Sequence, residues 1–314
     1  MPTNLTVQFQ PTSIRSARRF IRRAGKRGLR AARVFVRVLK WAALLAFIVY
    51  ASIIVYMLSI ENRLVFRPTR PGQEWHDKPT ANMQDVALHS EDGALHAWYC
   101  PVEKPDAVFL MCHGNAGNLS VRGQSLPTYC KRFNASFMMF DYPGFGLSEG
   151  EPTERGCYAA ADAAYDWLIR EKGFKPEQIV IAGESLGGAV AVDLASRRPC
   201  SAVILTHTFA SLPSLAQRLY EWLPVELLMH NRFDSEEKID RIHAPIFVSH
   251  GACDDIIPLD QAESLFAKAT SVKEFLLRPG KGHFDPLGPL DLDKIADFLA
   301  RNHVLPSHTH VAKK

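Results

Sequence analysis

Residues 179–188 read Ile-Val-Ile-Ala-Gly-Glu-Ser-Leu-Gly-Gly, and no other stretch restricts the fold as much. The β-branched run at 179–181 predicts a buried strand, and residues 188–195 suit a helix. A Gly-x-Ser-x-Gly turn joins the two. In that context Ser185 sits at the tip of a sharp strand-to-helix turn, with small residues at Gly183 and Gly187 to permit it. The five-residue pattern also arises by chance in ordinary turns, so its meaning depends on partners further along the chain.

A serine hydroxyl becomes a nucleophile when a base takes its proton. The base in turn needs a carboxylate to hold its tautomer and stabilise its cation. Where the serine sits in a Gly-x-Ser-x-Gly strand-to-helix turn, the chain order is nucleophile, acid, base. Residues 245–251 form a buried-strand pattern that runs into Ala252-Cys-Asp-Asp255. Asp254, just past that strand, is the expected acid. Asp255 is its nearest rival, and is otherwise a cap for a helix starting near Pro258. Residues 273–278 read as a further strand, followed by Pro-Gly-Lys-Gly-His-Phe284. Of the twelve histidines, His283 is the expected base, because it lies between the last predicted strand and the last predicted helix, residues 290–301.

Tetrahedral chemistry at an acyl carbon also needs two backbone N–H donors aimed at the developing oxyanion. The expected donors are Leu186, directly after the nucleophile, and Asn115. The latter lies in His113-Gly-Asn-Ala-Gly-Asn118, the loop after the apolar run 108–112. The alternative is a Gly/Asn turn without chemistry.

These stretches, together with Asp141-Tyr-Pro-Gly-Phe-Gly-Leu-Ser-Glu-Gly150, resemble the α/β-hydrolase superfamily over about residues 84–301. Within it the chain is most similar to membrane-anchored serine hydrolases with a short cap, whose relatives include protein depalmitoylases and monoacylglycerol lipases. The resemblance implies an α/β-hydrolase fold: a mostly parallel eight-stranded sheet with helices on both faces. It makes residues 141–150 a structural loop bordering the active site and gives Asp141 no catalytic role. Cys253, immediately before the expected acid, is a mild departure.

Residues 41–60 are twenty in a row without a charge. At helical rise they span about 30 Å, the thickness of a bilayer's hydrocarbon. The run is too long, and begins too far into the chain, for a cleaved signal peptide. It lies outside the hydrolase pattern, which argues against a core helix. Residues 1–40 hold eleven Lys or Arg and no Asp or Glu. With a net charge of +4 overall, the rest of the chain carries −7. The basic residues recur at helical spacing, so the arm is expected to be an amphipathic helix on an anionic membrane surface, weakened by Gly25 and Gly28. A nucleic-acid partner is disfavoured by the adjoining apolar run, while a mitochondrial presequence, and with it the mitochondrial inner membrane, stays open. The positive-inside rule keeps the arm cytoplasmic and puts the hydrolase domain on the lumenal, extracellular or periplasmic side. Six cysteines without a CxxC pair read as small buried hydrophobes, which pulls the other way.

The expected organisation is an arm (1–40), a transmembrane helix (41–60), a connector (61–80), the hydrolase domain (81–304) and a flexible tail (305–314). A hairpin around residues 91–93 opens the domain. Strands near 107–112, 136–141, 178–182, 201–206, 245–250 and 273–278 alternate with helices. Residues 207–244 carry more apolar surface than one covering helix needs, so a small cap or acyl-binding wall is expected there, with a packed helix as the alternative. The expected function is a membrane-anchored serine hydrolase cleaving carboxylic esters or thioesters of lipid-like or acylated substrates through an acyl-enzyme on Ser185. No metal or organic cofactor is required. Ser185 argues against a dehalogenase or epoxide hydrolase, which need a carboxylate at the turn. A serine peptidase and a catalytically silent binding scaffold at the membrane stay open as alternatives.

Overall fold

The computed structural model describes residues 12–306, so the ends of the expected arm and tail, residues 1–11 and 307–314, lie outside the described residues. The chain divides into two compact units, the first ending at Ser59 and the second beginning at Ile60.

The first unit is one helix, α1 (Thr12–Ser59). The basic arm and the apolar run are continuous within it through residue 40. Gly25 and Gly28 each cost the helix about 1 kcal/mol, but no proline follows them and their neighbours are helix formers. Ser52 and Ser59, the polar residues of the apolar half apart from its aromatics, turn their hydroxyls back onto the carbonyls of Ile48 and Tyr56. Among the described residues, α1 is the one helix long and apolar enough to cross a membrane.

The second unit opens with the short helix α2 (Glu61–Val65) and a two-residue strand β1 (Arg67–Pro68). A hairpin comes next, β2 (Gln84–Ser90) and β3 (Gly93–Cys100), closed by Glu91-Asp92 with Gly93 at φ +121°. The central sheet then adds β4 (Val108–Cys112), β6 (Ser136–Phe140), β7 (Ile179–Glu184), β8 (Ala202–Thr206), β9 (Ile246–Gly251) and β10 (Lys273–Arg278). A second two-residue strand, β5 (Ala116–Gly117), pairs with β1 outside the main sheet. The eight-stranded order is β10-β9-β8-β7-β4-β6-β3-β2, parallel except for the antiparallel pairs β2·β3 and β3·β6.

Alternation along each strand fills two cores. Val108, Leu110, Cys112, Ile179 and Ile181 point to one face, where α5 (Glu154–Arg170), α6 (Leu186–Arg197) and α9 (Leu259–Lys268) pack. Phe109, Val180 and Ala182 point to the other, covered by α4 (Leu126–Phe133) and α10 (Pro289–Arg301). From β4 the chain moves outward to β6 and then returns to β7 on the opposite side of β4. The crevice at the C-terminal ends of β4 and β7 is therefore a topological switch point, the place where open α/β sheets bind ligands.

Residues 207–244 form two short helices, α7 (Leu212–Leu219) and α8 (Val225–Leu228). Leu223 is buried, whereas Leu219 and Leu227 are 74% and 84% exposed. All six cysteines are free: Cys100, Cys112, Cys130 and Cys157 are buried, Cys200 is half-buried and Cys253 is exposed. Cys253 departs from the buried reading because it lies in the turn after β9 and not within a strand.

Candidate active site

Ser185 sits between the end of β7 and the start of α6 with φ 55° and ψ −122°, a conformation that costs a non-glycine residue about 1–3 kcal/mol. Its neighbours over-determine that shape. Its N–H donates to the Thr206 carbonyl at 2.9 Å, and Thr208 Oγ1 donates to its carbonyl at 2.9 Å. The flanking glycines are needed for close approach, not for a positive φ. A Cβ on Gly183 would lie 2.2 Å from the Gly187 carbonyl oxygen, and one on Gly187 would lie 2.1 Å from that of Cys112. The helix is thereby pressed against both its own strand and the end of β4.

The structure brings Ser185, His283 and Asp254 into one hydrogen-bonded line. Ser185 Oγ lies 3.2 Å from His283 Nε2, and His283 Nδ1 lies 2.8 Å from Asp254 Oδ2. Asp254 comes after β9 and His283 after β10, so neighbouring strands deliver the pair. The other oxygen of Asp254, Oδ1, accepts the N–H groups of Ile256 and Ile257 at 3.0 and 2.8 Å. Burial alone would raise the Asp254 pKa. Hydrogen bonds from His207, His283 and the Ile257 N–H outweigh it and hold the carboxyl well below the usual range. Asp255 is exposed, and α9 begins at Leu259 with Pro258 before it and no side-chain cap.

Two further residues support the acid, one directly and one through the other, and no local motif in the sequence marks them. His207, at φ 50° just after β8, directs Nδ1 to Asp254 Oδ2 at 3.2 Å. Arg278 Nη1 lies 2.7 Å from His207 Nε2. Because the guanidinium can only donate, His207 Nε2 accepts, and its proton therefore sits on Nδ1 facing the carboxylate. Arg278 is itself buried and fixed by Asp291 and the carbonyls of Asp285 and Pro286. The visible signal was a lone basic residue closing the apolar run Phe275-Leu-Leu277 and a histidine directly after a strand.

His207, His250 and Asp254 hold ligand-type atoms within 4.8 Å of one another. Those atoms are already engaged. His207 Nε2 faces a guanidinium, and His250 Nε2 donates to the Ile257 carbonyl at 2.8 Å. Burial, the larger effect, lowers the His250 pKa against that bond. The donor set fits a buried hydrogen-bond cluster better than a cation site.

Leu186 is the first residue of α6, so its N–H has no partner within the helix and lies at the positive end of the helix dipole. The loop bearing Asn115 lies alongside: a Cβ on Gly114 would stand 3.6 Å from Ser185 Cβ. His113 shapes this loop through a 2.7 Å bond from Nδ1 to the Gly114 carbonyl, and Tyr142 Oη donates to the His113 carbonyl at 2.8 Å. Asp141 accepts the Leu119 N–H at 2.7 Å and supports the end of the same loop. The arrangement offers a hydroxyl, a base oriented by a carboxylate, a free helix-terminal amide directly after the hydroxyl's residue, and the Asn115 loop alongside.

A family model described as the alpha/beta hydrolase fold matches residues 107–236. An uncharacterised protein of Mycobacterium tuberculosis is 36% identical over 264 residues, covering 82% of this chain and 94% of that protein. Alpha/beta hydrolase domain-containing protein 17C of Mus musculus is 33% identical over 206 residues, covering 63% of this chain and 60% of that protein. Among solved structures, an esterase of Pyrococcus furiosus superposes with a TM-score of 0.62 at 18% identity, covering 76% of this chain and 98% of that one. The chain belongs to the α/β-hydrolase superfamily. Within that class its activity is that of a hydrolase.

Proposed function

We propose that this protein is a membrane-anchored serine hydrolase that cleaves carboxylic esters or thioesters of lipid-like or acylated substrates. The observation that carries this reading is the continuous Ser185–His283–Asp254 line, with bonds of 3.2 and 2.8 Å. Ser185 Oγ attacks the acyl carbon as His283 Nε2 takes its proton, and Asp254 holds the imidazole and stabilises its cation. The amides of Asn115 and Leu186 receive the oxyanion. His283 then protonates the leaving alcohol or thiol, and a water activated by the same imidazole releases the acyl group. None of these steps calls on a metal or organic cofactor.

The substrate class and the anchor are supported by exposed apolar surface. Phe47, Leu45, Val55 and Tyr56 of α1 are exposed, and a run of that length calls for an apolar surrounding. Around the site, Phe284 lies directly after the base and Ile256 just after the acid, both exposed, while Leu219 and Leu227 belong to the cap. The basic residues preceding residue 41 favour a cytoplasmic N-terminus lying on anionic lipid, with the hydrolase domain on the lumenal, extracellular or periplasmic side.

A fluorophosphonate probe tests the chemistry, since it reacts with an activated serine and not with a passive one. The full-length protein in detergent micelles is expected to be labelled, and Ser185→Ala to be neither labelled nor active while melting at the same temperature. Labelling of Ser185→Ala at the wild-type rate overturns the mechanism.

A further inference from the structure

Residues 61–69, which open the second unit, are fixed within it. Glu61, the second residue beyond α1, is buried, and its carboxylate accepts the backbone N–H groups of His230 and Asn231 at 3.1 and 2.7 Å and Asn231 Nδ2 at 2.8 Å. Asn62 Oδ1 accepts from the same Asn231 amide at 2.8 Å. His230 and Asn231 close the cap segment that contains α7 and α8, so the start of this unit is stitched to the base of the cap. Phe66, a few residues on, is buried with its ring edge-on to Phe233.

The next contacts fall on the loop that bears Asn115. The Arg67 N–H donates to the Asn115 carbonyl at 2.8 Å, and Asn115 Nδ2 donates to the Val65 carbonyl at 2.7 Å. One residue is therefore gripped through both its backbone carbonyl and its side chain. The Thr69 N–H donates to the Gly117 carbonyl at 3.0 Å, and Asn118 Nδ2 donates to Thr69 Oγ1 at 2.8 Å. The short pairing of β1 with β5 is the visible result, with Arg67 opposite Ala116 and Pro68 opposite Gly117. A Gly-rich loop on its own has many conformations. Held on this side, Asn115 is fixed directly after Gly114, the residue of the loop that approaches Ser185.

We propose that residues 61–69 are a positioning element of the active site, which brace the Asn115 loop and the cap base so that turnover depends on a segment holding no reacting group. The proposal rests on the reading of the Asn115 amide as an oxyanion donor. Its physical content is that an oxyanion donor acts only when aimed at the place where charge develops, and small displacements are expensive in rate.

The test uses the full-length protein in detergent micelles with a short soluble ester. Asn115→Ala keeps the backbone amide and removes only the bond to Val65. Arg67→Pro removes the N–H given to Asn115, and Phe66 at φ −108°, ψ 133° already has the conformation a following proline requires. Both variants are expected to lose about ten- to a hundredfold in kcat, part of the loss seen when an oxyanion donor is removed outright. KM should stay within twofold. Affinity for an alkyl boronic acid, which forms a tetrahedral anion on serine, should fall in step with kcat, while affinity for an uncharged ether analogue of the ester, which has no carbonyl for the serine to attack, stays constant. Wild-type kcat in Asn115→Ala overturns the proposal. So does a loss shared equally by the boronic acid, the ground-state analogue and the melting temperature, which marks general loosening. If the wild-type protein itself is not labelled at Ser185, the proposed function has failed instead, and the two failures are told apart by that control.

Discussion

Replacing Asp254 by Asn keeps the shape of the side chain, and the hydrogen bonds around it decide which way the amide must face. Oδ1 accepts two backbone N–H groups, from Ile256 and Ile257, at 3.0 and 2.8 Å. An amide has one carbonyl and one NH2. Its carbonyl must take that position, so the NH2 is turned to His283 and His207. His283 can answer by moving its proton to Nε2. There the proton points at Ser185 Oγ, and no lone pair remains to accept the serine proton. His207 cannot answer in the same way, because its Nε2 accepts from Arg278 Nη1 at 2.7 Å. One donor stays opposed to another, a cost of about 1–3 kcal/mol in stability. The wrong tautomer at His283 costs about 10⁴ in kcat. Stability should also diverge with pH in a defined direction. The depressed pKa of Asp254 contributes stability that is present above the ordinary carboxylate range and lost as pH falls through the folded value beneath it. The wild type should thus melt above Asp254→Asn at neutral pH, and the gap should close only in strong acid. Steady-state turnover of a short ester and thermal melting check both, with Asp255→Asn, exposed on the same turn, as the control that stays near wild type. Activity of Asp254→Asn within tenfold of wild type, or an equal loss in Asp255→Asn, would refute this account of the acid.

Gly187→Ala puts a methyl group 2.1 Å from the Cys112 carbonyl oxygen and 2.4 Å from that of His113, both backbone atoms that cannot swing away. It should cost about 1–3 kcal/mol in melting experiments and at least tenfold in kcat, and a silent substitution counts against the close packing of the turn. Deleting residues 1–59 removes α1 and leaves the second unit from Ile60 intact. The product should leave the membrane pellet and still hydrolyse the short ester, and its retention in washed membranes counts against α1 as the anchor. Cys253 is the exposed cysteine, so a charged, membrane-impermeant maleimide should label it in sealed vesicles only from the non-cytoplasmic face. Labelling from the cytoplasmic face alone, absent in Cys253→Ser, would invert the proposed topology.

The residues that the sequence makes legible are those announced by a local pattern. Ser185, Asp254 and His283 each lie in the turn or loop that follows a strand-forming run, and the order of the three is itself a signal. The strands are legible for the same reason, since a buried parallel sheet writes near-continuous apolar runs. What stays hidden is held by contacts between segments far apart in the chain. His207 and Arg278 are separated by 71 residues, and each alone is an unremarkable polar residue at a strand end. Glu61 lies 169 residues from His230, and a short stretch with three prolines reads as a plain connector until its partners are known. Gly183 and Gly187 are an intermediate case. Their presence is legible, but turn chemistry suggests conformational freedom, whereas the structure needs the missing Cβ so that three backbone segments can approach.

Burial also changes the weight of the cysteines in judging which side of a membrane the domain faces. Six unpaired thiols sit poorly in an oxidising compartment if all six can react. The reactive form is the thiolate, and burial works against it. Desolvation pushes the Cys112 and Cys157 thiols well above their ordinary range, and Cys200 up to about 12. Cys100 and Cys130 are buried too, with Cys130 Sγ turned to the Cys100 carbonyl at 3.6 Å; hydrogen bonding between the two thiols lowers Cys100 and raises Cys130, and it is burial that keeps Cys100 from solvent. Such groups behave as small apolar side chains in either compartment. Only Cys253 is left for an oxidant to reach readily, and one exposed thiol finds no accessible partner in its own chain. The cysteine content therefore does not oppose the topology favoured by the arm, where eleven positive charges precede the apolar run and none is offset by an acid.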